Sequence, residues 1–410
     1  MNKKTPKLRF KKFTDAWKQL KLSSYLDVSS EKNVDNFFSK DDVLSVSGDY
    51  GVVNQIEFQG RSFAGTSVSN YGVVHTGNVI YTKSPLKANP YGIIKTNKGE
   101  SGIVSTLYAV YSVKENSFPN FIQDYFELNS RLNNYLRPLV NKGSKNDMKV
   151  SNENALKGLV IFPGLEEQRK ISTFLAQLNN TITLQQRKID KLISLKKAYL
   201  YQMFPQKGSH LPEIRFSEFT DDWKQLKLGS IVEKVTQKNS NLEINETFTN
   251  SAEQGIISQN DFFDHKVSSS DNIGKYYVVG KGDFVYNPRI SSTAPVGPIN
   301  RNRLERAGVV SPLYTVFRVK DVDPLFLEWY FKSSCWHLYM FINGDCGARA
   351  DRFAIKDPVF FSMPILVPSK EEQFKIGMFF EKLNGNISIQ KRKLEKLKQL
   401  KSSYLNSMFI

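Results

Sequence analysis

Apolar residues recur at alternating spacings of four and three along two stretches of the chain. The first series is Ile171, Leu175, Leu178, Ile182, Gln185, Ile189, Leu192, Lys196, Tyr199 and Met203; eight of these ten are apolar or aromatic. The second is Ile376, Phe380, Leu383, Ile387, Gln390, Leu394, Leu397, Lys401, Tyr404 and Met408, with its polar breaks, Gln390 and Lys401, where Gln185 and Lys196 fall. Such spacing is a heptad seam and predicts a long helix with one narrow apolar stripe. Each stretch opens after a proline-containing loop (Phe162-Pro163-Gly164 and Val367-Pro368-Ser369). Each then has an acidic first turn, Glu166-Glu167 or Glu371-Glu372, which the positive end of a helix dipole favours. About 38 residues rising 1.5 Å each make a rod of roughly 55 Å.

The two helices belong to a tandem duplication. Residues 8–22 read LRFKKFTDAWKQLKL and residues 214–228 read IRFSEFTDDWKQLKL, identical at 11 of 15 positions. Pro163 to Phe204 aligns with Pro368 to Phe409 at an offset of 205, with half of the 42 positions identical. Between these anchors GNVIY (Gly77 to Tyr81) lies over GDFVY (Gly282 to Tyr286), and GIVSTLYAVYSV (102–113) over GVVSPLYTVFRV (308–319). Phe121, Tyr125 and Phe126 fall over Phe326, Tyr330 and Phe331. Residues 27–76 and 233–281 have diverged beyond recognition. The layout is a fixed frame around a variable middle, twice.

The intervening segments, 24–160 and 230–365, read as α/β. Strand-like runs are Val43 to Val46, Val52 to Phe58, Asn78 to Tyr81, Tyr91 to Ile94 and Ile103 to Val113. A helix is expected at about 120–136, from Phe121, Ile122, Tyr125, Phe126, Leu128, Leu132 and Leu136, with a counterpart at about 325–342. The expected domains are 1–162 and 208–367, with helical spacers at 163–207 and 368–410. A long helix with one apolar stripe needs a partner, and the other copy supplies one. Antiparallel pairing would bring the two chain ends together. The expected fold class is mixed α/β: two tandem-duplicated domains joined by two long antiparallel coiled-coil helices, pseudo-two-fold and circular. The alternative is two helices packed separately into ordinary domain cores.

Composition narrows the class. The net charge is +17, an excess that in a cytoplasmic protein commonly reflects a polyanionic partner; a solvated lysine-rich surface is the plainer explanation. Two cysteines, Cys335 and Cys346, make no disulfide framework and fit a reducing, cytoplasmic compartment. No stretch is apolar enough for a membrane span, and the basic start, MNKKTPKLRFKKF, has no apolar segment behind it to make a secretory signal.

Candidate DNA contacts are a glycine-and-base loop in each copy. Lys142, Lys145 and Lys149 surround Gly143, and Arg349 and Arg352 follow Gly347. Glycine permits close backbone approach, and Lys or Arg can take phosphates or a guanine edge; a solvated turn is the alternative. Lys83 after Tyr81 and Arg289 after Tyr286 form a weaker pair, the tyrosines reading as core residues. The arm from Lys3 to Lys21 carries eight Lys/Arg against Asp15 alone, which suits phosphate contact.

Catalytic signatures are missing. Asn89-Pro90-Tyr91 and Asn287-Pro288-Arg289 lack the second proline of an adenine-methyltransferase motif. Gly274 to Lys281 has the wrong spacing for a phosphate loop and no following Ser or Thr. The four histidines lack metal-ligand spacing, and Cys335, His337 and Cys346 lack a fourth ligand. No catalytic residue and no metal site is assigned.

The paired Trp-Lys-Gln-Leu-Lys-Leu openings, the paired Pro-x-x-Glu-Glu-Gln helix starts and the paired basic heptad helices together resemble the specificity subunit of Type I restriction–modification systems, over the whole chain. The resemblance implies a non-catalytic DNA-binding subunit with two target recognition domains, each reading one half of a bipartite, asymmetric site in double-stranded DNA. It implies helices that set the unspecified gap and dock two methyltransferase subunits, with restriction subunits completing the nuclease. S-adenosylmethionine, ATP and Mg²⁺ would then sit on those partners and no cofactor on this chain. The alternative from another class is a non-catalytic coiled-coil scaffold whose basic domains bind protein or polyanions.

Overall fold

The computed structural model describes residues 5–142, 148–206, 208–262, 270–346 and 351–410. The chain divides into two compact units, Met1–Gln186 with Arg392–Ile410, and Arg187–Lys391. Among the described residues no helix is long and apolar enough to cross a membrane.

Each unit is built on a four-stranded antiparallel sheet with the same strand order. In the first unit the order is Leu26–Val28, Tyr108–Val113, Val79–Thr82, Ile93–Thr96; in the second it is Val232–Lys234, Thr315–Val319, Phe284–Tyr286, Ile299–Arg301. Side chains alternate across a strand, so each central pair feeds two cores. Val79, Tyr81, Ala109 and Tyr111 face the large core beneath the helices, while Ile80 and Val110 join Leu44, Val74 and Val104 on the other face. The second unit repeats the division, with Phe284, Tyr286 and Phe317 on one side and Val285 and Val316 on the other. Burial on both faces explains why these strands read as continuous apolar runs.

Three expected elements are subdivided. The run from Val52 to Phe58 is a strand, Gly51–Asn54, followed by a short helix, Gln55–Gln59. The Asn54 side chain accepts from the amides of Ile56 and Glu57 and starts that helix, and left-handed Gly60 ends it. Ile103 to Val113 is two strands around a turn in which Tyr108 N–H donates to Ser105 O at 3.1 Å. The helix expected over 120–136 is two, Pro119–Tyr125 and Asn129–Leu136, and its counterpart is Pro324–Lys332 and His337–Asn343. The tight turn before the edge strand depends on Gly92 and its equivalent Gly297, both at positive φ. A Cβ there would lie 1.9 Å from Thr82 O and 2.2 Å from Asn287 O respectively.

The two heptad stretches are helices of 38 residues each, Leu165–Gln202 and Lys370–Ser407. Ile171, Leu175, Ile189, Ile376, Phe380, Ile387 and Leu394 are buried; Leu178, Ile182, Leu192, Tyr199, Leu383, Leu397 and Tyr404 are half-buried. Within each unit the beginning of one helix meets the end of the other. In the first, Phe174 and Tyr404 pack edge to face at 4.9 Å; in the second, the equivalent residues Phe379 and Tyr199 do so at 5.2 Å. Met408 and Phe409 finish in the core of the first unit, where Phe409 meets Phe121 at 5.4 Å. Met203 and Phe204 finish in the core of the second, where Phe204 meets Phe326 at 5.8 Å. In the first unit Leu8 N–H donates to Ser407 O at 2.9 Å, joining the opening segment to the end of the second long helix.

The repeated openings fix the helix starts. Lys18–Lys21 pairs with Leu159–Phe162, and Lys224–Lys227 with Pro364–Val367, so each KQLK strand lies against the strand that feeds a long helix. Arg9 holds Glu167 through two bonds, 2.7 and 2.8 Å, and Arg215 holds Glu372 at the same distances. Both carboxylates are buried. The acidic first turn therefore does more than complement the dipole: its second residue is half of a buried, bidentate ion pair. Gln168 and Gln373 brace the same joint, accepting from Phe118 N–H (2.9 Å) and Asp323 N–H (2.8 Å) and donating to Pro163 O (2.9 Å) and Pro368 O (2.8 Å). Removing one partner leaves a charge without compensation. Glu372→Ala is expected to lower stability by about 3 kcal/mol in urea unfolding, whereas alanine at neighbouring, exposed Glu371 is expected to change it by under about 0.5 kcal/mol.

Candidate nucleic-acid interface

The glycine-and-base loops form on hairpin stems. In the first unit Asn141–Lys142 pairs with Met148–Lys149, so the backbones of Lys142 and Lys149 flank the loop; Lys145 lies outside the described residues. In the second, Asp345 and Ala354 close the loop with two backbone bonds, 3.1 and 2.7 Å; Arg349 lies outside the described residues. The structure brings Arg289 and Arg352 together. They are partners in an antiparallel bridge, flanked by Phe353 N–H to Pro288 O (2.7 Å) and Ile290 N–H to Asp351 O (3.2 Å). Both arginines are exposed. A cleft of about 760 Å³ adjoins them, lined by Pro288 and Phe353 together with Tyr277, Tyr314, Lys234 and Lys356.

Lys83 is separate from the loop of its own unit in backbone pairing: its N–H donates to Leu107 O at 3.0 Å. It is half-buried, and burial pushes its ammonium below the ordinary lysine range, Glu153 opposing and Lys32 assisting. Tyr81 and Tyr286 are buried strand residues whose hydroxyls donate to Tyr91 O (2.7 Å) and Val296 O (3.0 Å). Two cations of the basic N-terminal arm are engaged internally, Arg9 with Glu167 and Lys12 with Glu166.

A charged constellation that periodicity did not reveal lies where each domain meets the end of a long helix. In the first unit Glu127 sits between Lys95 (2.9 Å) and Lys401 (3.1 Å). Burial opposes its ionisation, but the two ammonium groups outweigh burial and hold the carboxyl below its ordinary range. Asp124, one turn earlier, is buried, and burial raises its pKa to about 6. At the equivalent places of the second unit stand Asn300, Lys332, Lys196 and Trp329. Sheet register supports the equivalence: Lys95 pairs with Ile80, and Asn300 with Val285. The two positions that are acidic in one copy, Asp124 and Glu127, are therefore Trp329 and Lys332 in the other. The offset of 205 was the available signal; it places Glu127 over Lys332 and Asp124 over Trp329.

Comparison with known proteins bears on the whole chain. It is 24% identical over 266 residues to the Type I restriction enzyme MjaVIII specificity subunit of Methanocaldococcus jannaschii, a match covering 60% of this chain and 59% of that relative. The chain thus spans under two thirds of the length of the curated relative it matches. Its fold superposes on a Type-I restriction-modification system S subunit from M. genitalium with a TM-score of 0.55 at 12% identity, over 99% of both chains. This is the fold of the Type I specificity subunits. A second structure, described under complex assembly and conformational transition of the type I R-M system, matches with a TM-score of 0.54 at 17% identity, over 96% of this chain and 97% of the other. No protein-family profile matches the chain. Within this fold the charged corners differ in side-chain chemistry between the copies, while the Arg–Glu joints are the same.

Asp124 gives the fold a pH dependence whose sign is fixed. In the folded chain it takes up its proton below about pH 6, but in the unfolded chain only below about 3.9. It therefore costs stability at neutral pH, a cost that disappears as pH falls between those values. Asp124→Asn is expected to raise stability by about 2 kcal/mol at pH 7.5, the advantage closing between about pH 6 and 4, as read from urea unfolding across pH.

Proposed function

We propose that this chain is the DNA sequence-specificity subunit of a Type I restriction–modification enzyme and performs no catalytic step itself. The observation that carries the reading is duplication of one sheet architecture around diverged loops, on a frame that superposes over nearly its full length on a known S subunit. Two recognition domains, 1–162 and 208–367, would each read one half of an asymmetric DNA site. Their difference in sequence means that the half-sites differ. The spacers, 163–207 and 368–410, would set the unread gap and dock two methyltransferase subunits, with restriction subunits completing the assembly. S-adenosylmethionine, ATP and Mg²⁺ would be held by those partners, in the cytoplasm.

The physical logic is separation. Two major-groove readers on one face of B-DNA sit about 10 bp apart, centre to centre, and a helix of 38 residues is long enough to hold such a spacing. In the second domain, Arg289 and Arg352 on one exposed bridge are the candidate readers, able to offer paired forks to a guanine edge or to phosphates. In the first, Lys83 and the loop bearing Lys142, Lys145 and Lys149 take that role, and in the second Arg349 joins the pair.

Lengthening or shortening both long helices together is expected to change the gap and leave each half-site intact, as read by methylation mapping of the assembled enzyme; an unchanged gap refutes the spacer role. Replacing Arg289 and Arg352 by alanine is expected to weaken binding by about 1–3 kcal/mol per lost base contact and to relax one half-site only. A scaffold for protein partners would show no preference for a gapped duplex over a scrambled one in a salt titration.

A further inference from the structure

The charged corner of the second unit is an unfinished version of the first. In the first unit the helix lysine, Lys401, is neutralised by Glu127 at 3.1 Å. In the second unit its equivalent, Lys196, donates to the Asn384 amide oxygen at 2.8 Å and lies 4.9 Å from the Trp329 ring. Where Glu127 would be stands Lys332, which donates to the Asn300 side-chain oxygen. Both lysines line one cleft of about 430 Å³, with Arg301, Arg303, Glu328 and Trp329 on its walls.

The carboxylates of this corner lie against arginines, although Arg301 Nε and Glu328 Oε2 make no hydrogen bond among the described residues. Glu328 takes Arg301 at 3.1 Å and Arg303 at 2.7 Å, and Glu381 takes Arg303 at 2.7 Å. Glu253, also on the cleft, is exposed to solvent. Among the described residues the hydrogen bonds of the Lys196 and Lys332 ammonium groups go to amide oxygens, not to carboxylates, and the indole N–H of buried Trp329 has no acceptor. Burial lowers the proton affinity of both lysines; Lys332 and Lys391 lower that of Lys196 further against Glu381, and Arg303 lowers that of Lys332 against Glu328. Two ammonium groups and an orphan donor around an open cleft are the complement of a multivalent oxyanion.

We infer that the Lys196–Lys332 cleft binds a phosphate-type oxyanion, which takes the place that the Glu127 carboxylate fills in the first unit. The anion closes a charged network that the chain completes on one side from its own residues and on the other from outside. Two sources carry this chemistry, free phosphate and a phosphate of the DNA backbone.

The test uses the full chain and inorganic phosphate, titrated against chloride at matched ionic strength. The Trp329 indole N–H resonance, assigned by its loss in Trp329→Phe, reports the cleft. It is expected to shift saturably in the wild type. Lys332→Glu restores the arrangement of the first unit and is expected to weaken the response by at least about tenfold, with Lys332→Gln intermediate. No saturable shift in the wild type, or equal responses in wild type and both variants, overturns the site. If Lys332→Glu fails to fold by circular dichroism, Lys332→Gln decides. No DNA is needed for this arm, so its failure is separate from failure of the DNA-reading role. A second arm rests on that role. If Lys332→Glu also lowers the salt slope of DNA binding by about one, the occupant is a backbone phosphate. If the slope is unchanged while the phosphate response is lost, the occupant is free phosphate.

Discussion

A helix of 38 residues with one narrow apolar stripe cannot remain alone in water, and most of the architecture follows from that constraint. The stripe needs a second surface along its length, and its last residues, Met-Phe in both copies, need a core. The chain meets both needs with its own duplicate. Phe174 meets Tyr404 and Phe379 meets Tyr199, while Phe204 and Phe409 each enter the aromatic core of the unit that does not begin their helix. Each unit's core is completed by the last residues of a helix that begins in the other.

The joints show how the geometry is held. A rod transmits position only if its attachment is stiff. Each helix start is fixed by a bidentate Arg–Glu pair, a glutamine clamping two backbone segments and a strand pair formed by the KQLK opening. These three devices occur in both copies with nearly identical distances. The residues most alike between copies are therefore those that fix orientation, and the residues that differ are those free to face something else. Structural constancy and chemical variety are divided between frame and surface.

The charged corners illustrate the same division at the scale of a few side chains. Identical lysines, Lys196 and Lys401, end in opposite surroundings because Glu127 and Asp124 on one side are Lys332 and Trp329 on the other. The backbone is indifferent to the exchange, since sheet register is the same at Lys95 and Asn300. The electrostatics is not: the helix lysine of one corner is paired with a carboxylate, and that of the other donates to an amide oxygen beside a second lysine.

Much of this was legible in the sequence. The 4-3 spacing determined the helices, the 205-residue offset determined that every framework feature would occur twice, and the burial of Tyr81 and Tyr286 followed from their place in apolar runs. These are periodic or repeated signals, and periodicity survives without knowledge of contacts. What stayed hidden were features set by residues distant in sequence. Breaks in the strand after Asn54 and in the helix after Tyr125 depend on local caps and turns that periodicity does not record. The partnerships of Arg9 with Glu167 and of Lys401 with Glu127 join residues 158 and 274 apart in sequence. The bridge between Arg289 and Arg352 exists only because one hairpin folds onto another strand. Sequence alone determined which elements form and that they form twice; tertiary structure decided which charges meet, because ion pairing depends on distance in space, to which spacing along the chain is blind.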